Sequence, residues 1–374
     1  MRFKKFARVS VLAVAAGLLL SSCSTGGGDE GEAPSDGSVV DLDAARAFIE
    51  PFKEISEFPV TEPLSAVPSP DTTAVFLDNG SAVSAIQAAT ITEAAETMGI
   101  TMNVVSTGAT PLDVSNALDS VVQMKPDILV IVSLDPEWFS AQLEQLREAG
   151  TTVVAAAIVN AEEFGFGPDV MSGKADSELV GEIMAADMLV KGEGESTEFV
   201  FYITPELPFT HAVQAGAERK IAELCSNCNL RVVDIPVTQV GSTAPQTIIS
   251  DLQAHPETQG MIFAYDEMQL GLPAAMGVAG IDLPGIGWAP TPPNLEAIES
   301  GIQYAGIGMD LPVYMWSVLD QAARIMAGDE LSQAQQDGFT VKQIVVQDNV
   351  PAEYSNGWSA YPDYKERFSA LWGK

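Results

Sequence analysis

Histidine is nearly missing from this sequence: His211 and His255 are the only two among 374 residues. So few imidazoles exclude a histidine-rich metal centre and leave little for a serine or cysteine nucleophile to use as its base. Catalytic signatures are missing as well, with no G-x-S-x-G, no H-E-x-x-H and no G-x-x-x-x-G-K-[ST] in the chain. These absences weigh against an enzyme, and neither a cofactor nor a metal is expected. Basic residues are scarce, 18 Lys and Arg against 51 Asp and Glu, for a formal charge of −33. Such a surface repels nucleic acid and anionic lipid headgroups and disfavours polyanionic ligands.

An apolar run of bilayer length is also lacking. The longest, "VLAVAAGLLL", falls well short of the roughly 20 residues a spanning helix needs. It follows the basic start "MRFKKFARVS" and precedes "LSSC", so residues 1–22 read as a secretory signal. The end Leu20-Ser21-Ser22-Cys23 resembles the lipobox of bacterial lipoproteins, which implies acylation of Cys23. The mature chain is then lipid-anchored at the outer face of the cytoplasmic membrane and does not span it. "STGGGDEGEAPSDGS" after Cys23 has nothing to bury and reads as a flexible leash. Loss of the signal removes four of the 18 basic residues and no acidic one, which takes the charge from −33 to −37.

Cysteine is rare. Beyond Cys23 there are only Cys225 and Cys228, in "ELCSNCNLRVV". Thioredoxin-type pairs open a helix, whereas this one closes a helix, and four-ligand zinc is hard to assemble around it. In an oxidising compartment a small structural disulfide is the expected state.

What is abundant is alternation. From Thr73 short apolar strands ("TAVFLDN", "ITMNVVS", "DILVIVS", "TTVVAAAIV") alternate with helical segments of 10 to 15 residues. The rhythm restarts at "DSELVGEIMAADMLVKG" and runs through "EFVFYIT", "LRVVDIPV", "GMIFAY", "PGIGWA" and "QYAGIGM". This predicts an α/β protein of two similar doubly wound lobes, each a parallel sheet covered on both faces. Ligands of such sheets bind beyond the carboxyl ends of the strands, so the site falls in the cleft between lobes. Asp266 follows "MIFAY" directly, and "DEMQ" reads as a capping box in which the Asp accepts a backbone N–H and Gln269 returns one.

The lipobox, the leash, "AHPETQGMIFAYDEMQLGLPAAM" and "PGIGWAPTPPNLEAIESGIQYAGIGMDLP" together resemble the type I periplasmic substrate-binding proteins of ABC importers, in the branch that includes ribose-binding protein. The resemblance covers residues 71–347. It implies a hinge of three chain crossings, at 172–176, at 308–312, and between "RIMAG" and "QIVVQ". The expected division is 1–22 signal, 23–70 lipidated Cys, linker and N-terminal extension, 71–174 plus 310–329 lobe 1, 175–309 plus 330–347 lobe 2, and 348–374 a C-terminal extension packed on a lobe. The implied function is capture of a small molecule by a monomer and its delivery to the permease. The rival is a sensing lipoprotein that uses the same closure to inform a membrane receptor.

Sugar binders of this branch commonly carry an Asp-Arg pair, an Arg-x-x-Gly, an Asn before Asp-Glu, and Gly-Phe-Asp. Here the matching positions hold Ala157-Ile158, Val213 and Gly216, Tyr265 before Asp266-Glu267, and Gly287-Trp288-Ala289. Three lost hydrogen bonds to charged groups amount to roughly 4–9 kcal/mol, enough to abolish micromolar sugar binding by that clamp. The expected ligand contacts are instead Asp78, Asn79, Trp138, Phe209, His211, Tyr265, Trp288, Met309 and Asp310, a set suited to a flat or partly apolar molecule.

Overall fold

The computed structural model describes residues 40–108, 110–166, 170–338 and 340–374 of the protein. The signal segment, Cys23 and the leash expected before residue 40 lie outside them. No helix among the described residues is long and apolar enough to cross a membrane.

Helix α1 (Leu42–Ile49) leads into an alternating run of β1 (Thr73–Asp78), α2 (Ala82–Met98), β2 (Thr101–Ser106), α3 (Pro111–Met124), β3 (Ile128–Val132), α4 (Ser140–Glu148) and β4 (Thr152–Ala156). A second run follows, with α5 (Lys174–Lys191), β5 (Glu198–Ile203), α6 (Pro208–Leu224), β6 (Asn229–Asp234), α7 (Ala244–Ala254), β7 (Gly260–Phe263), α8 (Leu272–Ala279), β8 (Gly285–Trp288), α9 (Pro292–Glu299) and β9 (Ala305–Met309). Then come α10 (Leu311–Ala327), α11 (Gln333–Asp337), β10 (Lys342–Val345) and α12 (Tyr364–Leu371).

The strands make two sheets, in the orders β2-β1-β3-β4 and β10-β9-β8-β7-β5-β6. Central strands such as β3, "ILVIV", are buried at every residue, as a sheet covered on both faces requires. Edge strands β2 and β6 alternate in exposure instead. Caps fix the helix ends: the Ser81 side chain accepts from Ser84 N at the start of α2, and Gly99 ends it at φ 86°. Helices α5 and α6 cross where Gly181 and Gly216 face each other's backbone, and a Cβ on either would come within 1.9 Å of a carbonyl oxygen.

One strand departs from the all-parallel expectation. β10 pairs antiparallel with β9, Lys342 opposite Met309. The chain leaves β9, runs through α10 on the first lobe, and re-enters the second sheet at the end by which it left, so that β10 runs back along β9. The expected hinge crossings are present at 171–174, at 309–311 and before β10, and they are tied together. Ser172 N donates to Gly338 O at 2.8 Å, and buried Asp176 accepts from Thr340 N, Thr340 Oγ1 and the Lys342 ammonium.

Two further passages accompany these three. The N-terminal extension begins on the second lobe, where Asp41 N donates to Leu224 O beside the Cys225–Cys228 disulfide. It ends on the first lobe and its tail, where Leu64 N donates to Leu371 O and the Phe58 ring meets Tyr361 and Phe368. The C-terminal extension goes the same way: Tyr354 OH donates to Glu299 on the second lobe, and Trp372 stacks on Trp316 of α10 at 5.1 Å. The N-terminal extension is therefore docked on both lobes from residue 40 onward.

Candidate functional site

A cavity of about 270 Å³ lies between the carboxyl ends of the two sheets. The first lobe lines it with Asn79 after β1, Ser133 and Leu134 after β3, Trp138, and Ala157 after β4. From the second come Glu206 and Leu207 after β5, Phe209, Tyr265 after β7, Trp288 and Ala289 at the end of β8, and Met309 at the end of β9. Ser172 and Tyr314 join them from the crossings and α10. The wall is mainly apolar and aromatic, as small-molecule sites are.

Rings cluster on the second-lobe side. Phe209 lies 5.9 Å from Tyr265 and 5.8 Å from Trp288, with the ring planes tilted by 59° and 74°. Tyr265 OH shares a 3.1 Å hydrogen bond with Thr204 Oγ1, which holds the ring in place. Burial pushes the Tyr265 phenol well above its ordinary pKa, so it is neutral at physiological pH.

Backbone strain concentrates here. Among the described residues, six other than glycine have φ in the left-handed region, and four of them, Ser133, Ala157, Ser172 and Ala289, line the cavity. Such conformations persist where surrounding structure holds them and gather at ligand sites. Three buried polar atoms of the lining, Ser172 Oγ, Trp288 Nε1 and Tyr314 OH, find no hydrogen-bond partner among the described residues. Neither feature is visible in the sequence.

The adjacent acids part company. Asp266 does not cap its turn as "DEMQ" suggests; the 3-10 turn Asp266–Gln269 has no side-chain cap. Its carboxyl is wholly buried, and Oδ1 accepts from the side-chain amides of Gln269 and Gln303. It fits only because Gly287 and Gly306 carry no Cβ; one at either site would stand 2.5 or 2.6 Å from a carboxyl oxygen. Burial pushes its pKa up to about 8. Glu267 turns the other way, into the cleft, where Oε1 accepts from Ala82 N at 3.1 Å at the start of α2 on the opposite lobe. Burial raises its pKa, and the backbone N–H groups of Ala82 and Val83 oppose the rise.

Of the residues singled out from the sequence, Asn79, Trp138, Phe209, Tyr265, Trp288 and Met309 come together in the lining. Asp78, His211 and Asp310 do not. Asp78 accepts from Gly80 N within its own turn. His211 is exposed on α6, with Nε2 3.1 Å from Pro205 O. Asp310 caps α10 through Val313 N and holds the tail through Ser359 Oγ and Ala360 N. Glu206, Glu267, Ser172 and Tyr314 are lining residues the sequence reading missed; only Glu267, beside Tyr265 at a strand end, carried a signal that could have found it.

A protein-family profile described as "Periplasmic binding protein domain" matches residues 76–330. No curated protein matches the chain at a significant level. Among solved structures it is similar to a glucose-galactose binding protein from Geobacillus stearothermophilus, at 12% identity and TM-score 0.63, over 75% of this chain and 99% of that one. It is also similar to an ABC transporter periplasmic solute binding protein from Actinobacillus succinogenes with bound D-allose, at 16% identity and TM-score 0.63, over 75% and 99%. A third is a Caulobacter myo-inositol binding protein bound to myo-inositol, at 17% identity and TM-score 0.64, over 77% and 97%. Likeness at these identities concerns the fold.

Proposed function

Because the chain belongs to the periplasmic binding protein family, we propose that it is a non-enzymatic receptor that closes two lobes on a small molecule and delivers it to the permease of an ABC importer. One observation carries this reading: a single cavity at the strand ends is lined from both lobes, and Glu267 bridges them by accepting from Ala82 N. A ligand seated there contacts both sheets at once, so its binding energy favours the closed arrangement over the open one. The acid pair offers no dyad, since Asp266 is sealed between glycines and Glu267 serves the opposite lobe.

The anchor at Cys23 would keep the receptor beside its permease. The D-allose and myo-inositol of the structural neighbours make polyols the first compounds to test. Yet Ala157 and Ala289, which line the cavity, stand where the resemblance to sugar binders implies charged clamp residues. The reading therefore includes no tight binding of ribose, glucose or galactose. Thermal-shift screening of the ligand-stripped protein across sugars, polyols, aromatics and amines tests the receptor function, with mass spectrometry of the recovered compound. A hit returned unchanged agrees with it, and a hit returned chemically converted contradicts it.

A further inference from the structure

The charged side chains that line the cavity are two carboxylates, Glu206 at the rim and Glu267 inside, with no Lys, Arg or His among the described lining residues. The feature best suited to an anion is the N-terminus of α2, and the protein fills it itself: Ala82 N donates to Glu267 and Ser84 N to Ser81 Oγ. An anionic ligand would meet two carboxylates and find the α2 terminus already taken. The rings of Phe209, Tyr265 and Trp288 cluster on one wall of the cavity, and the face of an aromatic ring attracts a cation. A formal charge of −33 on the whole chain adds a field that draws cations in and turns anions away.

A second observation specifies the rest of the molecule. Ser172 Oγ, Trp288 Nε1 and Tyr314 OH are buried in the lining without a partner among the described residues. The indole N–H only donates, and the two hydroxyls have donors to spare. A ligand that offered them nothing would leave buried polar groups unpaired.

We propose that the ligand is an organic cation whose ammonium group sits among these rings facing the carboxylates, and which carries at least one oxygen able to accept from the buried donors. This rests on the receptor reading of the same cleft and narrows its ligand class. It departs from the polyols named for the structural neighbours, in keeping with Ala157 and Ala289 standing where the resemblance implies a charged clamp.

Matched pairs test it. Choline and tyramine are titrated calorimetrically into the ligand-stripped mature protein at low ionic strength, beside their uncharged counterparts 3,3-dimethyl-1-butanol and 4-ethylphenol, and beside myo-inositol. At least one cation should bind about tenfold or more tightly than its uncharged partner. In Glu206→Gln that preference should shrink by about threefold or more. Equal or tighter binding of an uncharged partner or of myo-inositol, or no saturable binding by either cation, overturns the proposal. Small-angle scattering on the same samples separates the two claims. If myo-inositol binds and closes the lobes, the cation assignment falls and the receptor stands; if a bound compound leaves the lobes unmoved, the receptor reading falls.

Discussion

Asp266 lies sealed between β8 and β9, held by the Gln269 and Gln303 amides at one oxygen and by nothing among the described residues at the other. With its pKa raised to about 8, and those of buried Asp187 and Asp310 raised by desolvation to about 6, these carboxyls favour the folded state most when protonated. That contribution is fully present below the unfolded value near 4 and is lost as pH rises through about 6 and then about 8. The melting temperature should therefore fall between pH 5 and pH 8.5. Asp266→Asn keeps the oxygen that accepts from both amides and removes the charge, so at pH 8.5 it should melt higher than wild type by roughly 2 °C or more. A variant less stable at that pH would show that the ionised carboxylate is needed. Trp288 is legible as a strand-end aromatic, but its burial against Phe209 is not. Trp288→Ala would open a core cavity costing about 3–5 kcal/mol, so Trp288→Phe is the informative change. It should weaken binding of the ligand by about 1 kcal/mol through the lost indole N–H and leave the melting temperature close to wild type. Unaltered affinity would mean that this N–H does not meet the ligand. Residue types and strand ends pointed to six of the lining residues, whereas Ser172 and Tyr314 enter through a crossing and a helix that no local pattern aims at the cleft.

Elements were the most legible level, because a fully covered parallel sheet needs unbroken apolar strands and β3, "ILVIV", shows one directly. The short turns were not. "DEMQ", read as the cap opening a helix, is instead a 3-10 turn that Gly271, at φ 78°, separates from α8. The antiparallel β10 depends on where α10 delivers the chain, a non-local matter. At the hinge, Asp176 and Lys342 form a buried ion pair on two different crossings, and burial pushes the Lys342 ammonium below its ordinary pKa. Asp176→Ala strands that ammonium and should cost about 3–5 kcal/mol by urea unfolding, while Asp176→Leu with Lys342→Met should recover most of it. A single variant as stable as wild type would remove this pair from the account. The tail acts as an element too. Deleting residues 358–374 removes the buried Trp358, Phe368 and Trp372 and the Trp372 Nε1 donor to Asp320. Each buried aromatic is worth about 3–5 kcal/mol, so the truncated chain should lose its cooperative thermal transition, followed by circular dichroism. A native-like melt would show that the tail is dispensable.

Across the whole molecule, the lobes are joined by more than the three crossings the sequence implied. The N-terminal extension and the tail each start on the second lobe and finish on the first, and they meet where Tyr361 OH donates to Ser56 O. Both straps join segments far apart in sequence, which is why composition alone does not show where they dock. The cleft between the lobes is bridged by Glu267 and Ala82, so closure is the motion on which the proposed function depends. The most direct measurement is small-angle scattering of the mature protein, first stripped of ligand by unfolding and refolding, then saturated with the strongest compound from the thermal-shift screen. The account predicts a larger radius of gyration for the stripped protein and a decrease on saturation, diminished in Glu267→Ala. An unchanged radius with the site demonstrably full would contradict it.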